Sequence, residues 1–166
     1  MWTNVNIIFS IDTPVCSGIG IIAAFNELIK ISPIIRILMS KLAVEDETAC
    51  TAAKKFTDLF YDAVDRKRNK MNFLYTDGAM LVWNGNALRG VEIIAKFYDS
   101  LPNSTHTLES LDCQYIDSSD QARPLVVLAV GKVVLGQMTH AFTQTLVLTL
   151  EDEKYKILSD RFRFVD

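Results

Sequence analysis

Apolar residues recur every three or four positions in two stretches of this sequence, 46–70 and 93–101. In the first stretch the stripe consists of Ala49, Ala52, Ala53, Phe56, Leu59, Phe60, Ala63 and Val64. In the second stretch it consists of Ile93, Ile94, Phe97, Tyr98 and Leu101, and Pro102 ends the pattern. This spacing is that of one face of an amphipathic helix. The pattern therefore predicts two helices, the second beginning after Gly90.

Strands are predicted between and after the helices. Residues 79–83 form a short apolar run, and Asn84-Gly85 is a pair that favours the tight turn of a hairpin returning over 87–89. Four long extended runs follow, over 105–117, 124–136, 140–151 and 154–165, with short polar turns between them. Short connections imply an antiparallel meander. This order of elements predicts an α+β fold, in which the N-terminal helices pack on a mostly antiparallel sheet.

The predicted sheet has more apolar surface than two helices can cover. Every residue of the run 125–130 is apolar, so both faces of that strand need cover. The sequence offers no later helix for the second face. We therefore expect this face, with Val126, Leu128 and Val130, to contact another protein.

The last strand carries two arginines. Strict alternation puts Ile157, Arg161 and Arg163 on one face and Asp160 and Phe162 on the other. If Phe162 faces the helices, both guanidinium groups lie on the free face, where each can form a bidentate pair with a carboxylate of a partner. Simple solvation of these arginines is the alternative, because exposed ion pairs contribute only about 0–1 kcal/mol.

Composition and charge limit the number of domains and the kinds of partner. The chain has 166 residues and a net charge of −3, which is typical of one globular domain and argues against direct binding of nucleic acid. Eleven of the 15 isoleucines lie within residues 1–38. We therefore predict that 1–38 is an atypical Ile-rich extension outside the fold and that 39–166 is the domain. An amphipathic element over 19–38 that lies on a membrane or on a partner is the alternative, although basic residues are scarce there.

Few residues in the sequence suggest metal binding or catalysis. Cysteines and histidines lack metal-ligand spacing, and glycine-rich phosphate loops are missing from the sequence, so we expect no metal and no cofactor. We expect His106 and His140 to be exposed or to cap elements, and Cys50 and Cys113 to act as small buried apolar residues. Trp83 is expected in the core, with a pocket wall as the alternative.

Four segments carry a resemblance to a known family. They are 81–87 (LVWNGNA), 101–102 (LP), 112–114 (DCQ) and 159–164 (SDRFRF). In this order and separation they resemble the NTF2-related export proteins, the small partners of the mRNA export receptor TAP. The resemblance covers about 46–166 and leaves 1–38 without a counterpart.

The resemblance implies a cone of the nuclear transport factor 2 type, with a bent mixed sheet wrapped on helices. It implies a heterodimer with the matching domain of TAP through the sheet face, in which Arg163 forms a salt bridge across the interface. The pair would carry mRNA through the nuclear pore by contacts with Phe-Gly repeats of nucleoporins, which places it in the nucleus and at the pore, shuttling to the cytoplasm.

The related transport factor binds the GDP form of Ran through acidic residues before the strand that begins near Phe142. Here residues 131–140 contain no Asp or Glu. The resemblance therefore favours the export branch, and binding of Ran is not expected.

One alternative is a transport factor homodimer that binds the GDP form of Ran. An enzyme is the other alternative, because the same cone hosts ketosteroid isomerase and dehydratases. It would need a general base inside the cone, where burial raises the pKa of a carboxylate. Asp160 is the candidate for that base, with Asp112 and Tyr115 on a neighbouring strand. A hydrogen-bonded structural role for Asp160 is the interpretation we favour.

Overall fold

The computed structural model describes residues 33–116 and 123–165. Its helices are α1 (Pro33–Arg66), a short 3-10 helix (Arg68–Phe73) and α2 (Val91–Ser100). Its strands are β1 (Tyr75–Trp83), β2 (Asn86–Arg89), β3 (Ser104–Tyr115), β4 (Leu125–Leu135), β5 (Met138–Glu151) and β6 (Lys154–Phe164). The predicted turn after β3 and most of the predicted extension lie outside the described residues.

All six strands form a single sheet in the order β2-β1-β6-β5-β4-β3. The chain from β3 to β6 is the predicted antiparallel meander, and β2 pairs with β1 as the predicted hairpin. Strand β6 then pairs with β1 in parallel, which makes the sheet mixed. The α+β class and the packing of the helices on the sheet are confirmed.

Helix α1 is longer at its N-terminus than predicted. It begins at Pro33 rather than near 46, and it crosses the predicted domain boundary after residue 38 without a break. Among the α1 residues whose burial is described, the first buried one is Ala49, the first residue of the apolar stripe, whereas Leu38, Leu42 and Val44 are all more than half exposed. Leu59 is an exposed member of the stripe. Neither helix in the described part of the chain is long and apolar enough to cross a membrane.

Bulges in β6 and β3 break the predicted alternation of these strands. In β6 the register against β5 shifts between Val147 and Leu148, so Ile157 is fully buried and Leu158 is 46% exposed. The prediction that Ile157 shares a face with Arg161 is therefore wrong, because the bulge inserts one extra residue between them. A second bulge lies in β3 between Leu108 and Ser110.

Trp83 lies where β1 ends, against the core. Its indole stacks on the Phe162 ring, with ring centroids 3.9 Å apart and planes 4° from parallel. Phe162 in turn stacks on Phe142, at 5.2 Å. The prediction that Trp83 is a core residue is confirmed, since it packs against the buried cluster.

A polar clasp joins the end of α1 to the start of β3. Asp65 Oδ2 accepts the backbone N–H of His106 at 2.8 Å, and its Oδ1 accepts the Ser104 hydroxyl at 2.7 Å. The His106 ring donates through Nδ1 to Oδ1, also at 2.7 Å, because a carboxylate can only accept. Our expectation for His106 is wrong, since its side chain is only 4% exposed. His140 is half-buried and stacks on Phe164.

Arg68 completes this clasp from the 3-10 helix. Its guanidinium donates to the backbone carbonyls of Leu101 and Pro102 and to the Ser104 hydroxyl. The connection between α2 and β3 is therefore tied to the C-terminal end of α1, which fixes the outer strand of the sheet against the helix.

We expect Asp65→Ala to lower the free energy of unfolding by about 1–3 kcal/mol at pH 7, because three donors would lose their acceptor. Burial alone would raise the pKa of Asp65, but the hydrogen bonds from His106 and Ser104 outweigh it and hold the pKa below its usual value. This contribution is therefore present at neutral pH and is lost as the pH falls through that lowered pKa.

Urea unfolding as a function of pH measures the effect of Asp65→Ala. Asp62→Ala is the matched control, because Asp62 lies on the same helix and forms exposed ion pairs with Arg66 and Lys67. We expect a much smaller loss there. Equal losses of unfolding free energy in both variants would contradict the stabilising role of the Asp65 clasp.

We expect deletion of residues 1–38 to leave the melting temperature of the domain unchanged, because Ala49 is the first buried residue among those of α1 whose burial the structure describes. Thermal unfolding of 1–166 and 39–166, followed by circular dichroism, measures this. A large drop on deletion would show that the N-terminal residues stabilise the core.

Candidate partner-binding face

One face of the sheet points away from the helices. Strand pairing aligns its outward side chains in rows that cross the sheet, and we call these residues the open face. The central row consists of Asp112, Leu128, Thr145, Arg161 and Val82. The rows on either side consist of Gln114, Val126, Val147, Ser159 and Met80, and of Ser110, Val130, Thr143 and Arg163.

The five residues predicted to bind a partner all lie on this open face. Val126 and Val130 are half-buried, and Leu128 is 38% exposed. Arg161 and Arg163 are exposed beside Thr145 and Thr143 of the neighbouring strand. The fold therefore brings all five together, and their contact with a partner stays a prediction.

The open face has an aliphatic and threonine-rich strip on β4 and β5, with charged groups on the strands to either side of that strip. The arginines lie on β6, and Asp112 lies three strands away on β3. Within residues 33–116 and 123–165, neither Arg161 nor Arg163 has an acidic group at ion-pair distance. Both guanidinium groups are thus available to an acidic group on a second protein.

The turn after β1 holds the end of β6 that carries Arg163. The Asn84 backbone N–H donates to the Phe162 carbonyl at 3.0 Å, and its side-chain Oδ1 accepts the Phe164 N–H at 2.9 Å. Asn84 has a φ of 47°, a conformation that asparagine adopts more readily than most residues. The Trp-Asn-Gly-Asn and Phe-Arg-Phe motifs, distant in sequence, are therefore one structural unit.

Asp160 lies on the opposite face of β6, inside the cone. Its Oδ2 accepts the hydroxyls of Tyr75 at 2.6 Å and Tyr98 at 3.1 Å, and its Oδ1 accepts the Gln144 side-chain N–H at 2.8 Å. The Tyr61 hydroxyl donates to the other end of the Gln144 amide at 2.9 Å. This network joins α1, β1, α2, β5 and β6.

Burial raises the pKa of Asp160 to about 6, although the hydrogen bonds from Tyr75, Gln144 and Tyr98 act in the opposite direction. The same burial raises the pKa of Tyr75 and Tyr98 well above the usual value for tyrosine. The carboxylate is 0% exposed. As it stands, the group has the pKa of a general base but no exposed surface that a substrate could reach.

The other two residues of the enzyme alternative are not next to Asp160. Asp112 is exposed on the open face, the side of the sheet opposite to Asp160. Tyr115 forms a hydrogen bond with the Tyr155 hydroxyl at 3.0 Å, beside a cleft lined by Val44, Glu45, Thr48, Tyr115, Arg123, Leu150 and Tyr155. Across the described ranges, no three metal-ligating side chains come together.

Sequence reasoning missed the Arg123 contacts and the tyrosines around Asp160. The Arg123 guanidinium lies 5.2 Å from the centre of the Tyr115 ring and pairs with Glu45 at 3.3 Å. Tyr75 and Tyr98 carried a weak signal, since both occur in apolar surroundings in which a hydroxyl needs a partner.

Comparison with known proteins agrees with this fold. The family model described as "Nuclear transport factor 2 (NTF2) domain" matches residues 52–164. An NTF2-related export protein of Caenorhabditis elegans is 45% identical over 126 residues, which cover 74% of this chain and 92% of the relative.

Solved structures have the same fold at low sequence identity. A putative scytalone dehydratase from Novosphingobium aromaticivorans has a TM-score of 0.62 at 10% identity, covering 74% of this chain and 87% of that one. A chain of the Candida albicans Mtr2-Mex67 M domain complex has a TM-score of 0.56 at 16% identity, covering 68% and 93%.

These structural matches establish the cone fold, which enzymes and transport proteins share. The sequence match is more informative, because it spans most of both chains at an identity well above that of the solved structures. The chain therefore belongs to the nuclear transport factor 2 domain family and, within it, to the NTF2-related export proteins.

Proposed function

We propose that this protein is a non-enzymatic adaptor that heterodimerises with a TAP-type mRNA export receptor through its open face and supports export of mRNA through the nuclear pore. The observation that carries this proposal is the pair of exposed arginines beside an apolar strip on the uncovered face of the sheet. Curated relatives named as export proteins support it, as does the solved complex of Mtr2 with the Mex67 M domain.

The open face suits a stable protein partner. The strip on β4 and β5 is aliphatic and threonine-rich, so covering this strip removes apolar area from water without burying unpaired charges. The charged groups lie to the sides of this strip, where they set the orientation of the partner more than the affinity.

Arg163 is the residue we assign to the salt bridge across the interface. It projects from the last strand, which is paired on both sides with β1 and β5. Because the strand is fixed, little backbone entropy is lost when the guanidinium meets a carboxylate. Arg161, two residues earlier, is assigned as a second contact.

The proposed contacts with other molecules depend on the heterodimer. Contacts with Phe-Gly repeats of nucleoporins are proposed to come mainly from the pair, at the nuclear pore, with shuttling to the cytoplasm. Binding of Ran is not proposed, because residues 131–140 carry no Asp or Glu. The charge of −3 leaves contact with RNA to the receptor.

We expect Arg163→Glu to leave the fold intact and to weaken the heterodimer at least about 30-fold, which corresponds to about 2 kcal/mol, because the new carboxylate would meet the partner's acid. Calorimetric titration with the nuclear-transport-factor-like domain of TAP measures the affinity. Circular dichroism checks the fold.

Lys96→Glu is the control for Arg163→Glu. It makes the same charge change at an exposed site on α2, which packs against the 3-10 helix and β1 rather than on the open face. We expect unchanged affinity for this variant. An equal effect of both substitutions, or none for Arg163→Glu, would contradict the assignment of Arg163; no binding by the unaltered chain would contradict the function.

We expect Asp160→Asn to change how stability depends on pH. The folded pKa of about 6 lies above the ordinary 3.8, so the native state binds more protons between these values. This group therefore makes the free energy of unfolding fall as the pH rises from about 4 to about 6, by an amount on the order of 3 kcal/mol. Asparagine does not titrate, so the Asp160→Asn variant does not lose this stability as the pH rises.

Urea unfolding between pH 4 and 7 tests this, with Asp112→Asn as the control for charge. The stability of Asp160→Asn relative to the unaltered chain should increase with pH over this range. We also expect Asp160→Asn to keep its affinity for the receptor. A stability difference that does not vary with pH would show that Asp160 is not a buried carboxylate of raised pKa.

A further inference from the structure

Two cysteines that are distant in sequence face each other between helix and sheet. Cys50 lies on α1 and Cys113 on β3, and their sulfur atoms are 3.5 Å apart. Both residues are half-buried, whereas we expected small buried apolar residues at these positions. The contact joins residues that are 63 positions apart in the chain.

The packing holds these two thiols together. Helix α1 packs along β3, and the Asp65 clasp ties the C-terminal end of the same helix to the start of the same strand. Cys113 pairs with Val127 in the ladder, so its backbone is fixed. A disulfide needs a sulfur separation of about 2.05 Å, so the two sulfur atoms have to approach by about 1.5 Å for the bond to form.

The partial exposure of Cys50 and Cys113 affects their reactivity. A fully buried thiol is inert, whereas a half-buried one can be reached by a small disulfide reagent. Thiol-disulfide exchange passes through a mixed disulfide on one cysteine, which the second cysteine then attacks. The 3.5 Å separation places the second sulfur within reach for that attack.

We propose that Cys50 and Cys113 are an oxidative modification site at which a low-molecular-weight disulfide, such as oxidised glutathione, forms an intramolecular disulfide bond. The two thiols lose two protons and two electrons as the new sulfur-sulfur bond forms. The bond within oxidised glutathione breaks and takes up both, which releases two molecules of reduced glutathione. In a reducing compartment the site stays reduced, so the bond forms only under oxidative conditions.

The bond would fasten α1 to an outer strand of the sheet. Strand β3 is at the end of the strand order and has a sheet neighbour on one side only. Asp112, the residue before Cys113, belongs to the open face. Oxidation therefore stiffens the β3 side of the open face and limits fraying of that strand.

The test uses the full chain incubated with oxidised glutathione and then mapped by mass spectrometry of peptides without reductant. We expect a linked pair of peptides that contain Cys50 and Cys113, two hydrogens lighter than the separate peptides. We also expect a melting temperature about 5–10 °C higher, reversed by dithiothreitol.

Cys16→Ser is the matched control, because it removes the third cysteine and leaves the pair. It should oxidise and gain stability like the unaltered chain, whereas Cys50→Ala and Cys113→Ala should gain nothing. Cys50→Ala keeps a good helix former on α1, so it remains informative if Cys113→Ala fails to fold. Bonds that involve Cys16, or only single glutathione adducts, would overturn the proposal.

Discussion

The fold depends on how the last strand is held from inside the cone. Asp160 is a fully buried carboxylate, and it is stable there because Tyr75, Tyr98 and Gln144 all donate to it. These donors come from β1, α2 and β5, so the network ties the parallel and antiparallel neighbours of β6 to one helix. Removing any donor would leave a buried charge with fewer partners, which costs more than the hydrogen bond itself contributes. The location of β6, and of everything it presents outward, follows from this constraint.

The same strand connects the interior with the open face. Phe162 stacks under Trp83, and the Asn84 turn binds the backbone on either side of Arg163. Alternation then sends Arg161 and Arg163 outward while Asp160 and Phe162 stay inside. An arginine on such a fixed strand is held in position before a partner arrives, which reduces the entropy lost on binding. In this way the motifs that mark the family in sequence also position the charged groups that we propose for recognition.

Enzymes and transport proteins share the cone fold, so the fold does not distinguish these two functions. Access to the interior of the cone does. A catalytic carboxylate must be reachable by its substrate. Here the candidate base is enclosed and hydrogen-bonded by its own chain, while the uncovered apolar surface lies on the other side of the sheet. The open face carries half-buried valines, an exposed leucine and two exposed arginines, a surface that fits a protein partner better than a small substrate.

Local pattern was enough to predict two helices, a hairpin, a meander and the outward positions of Val126, Leu128 and Arg163. It failed where a distant contact decided the outcome. The bulge that buries Ile157 depends on pairing with β5, the burial of His106 depends on Asp65, and the acceptor of the Tyr75 hydroxyl lies 85 residues away. The start of α1 was also missed, because a stripe reports the burial of a helix rather than its length. Periodicity is a property of neighbouring residues, so the sequence by itself determined which elements form and, away from the bulge, which faces they bury. Only the tertiary structure decided which polar groups meet, because those contacts form between segments that the chain brings together on folding.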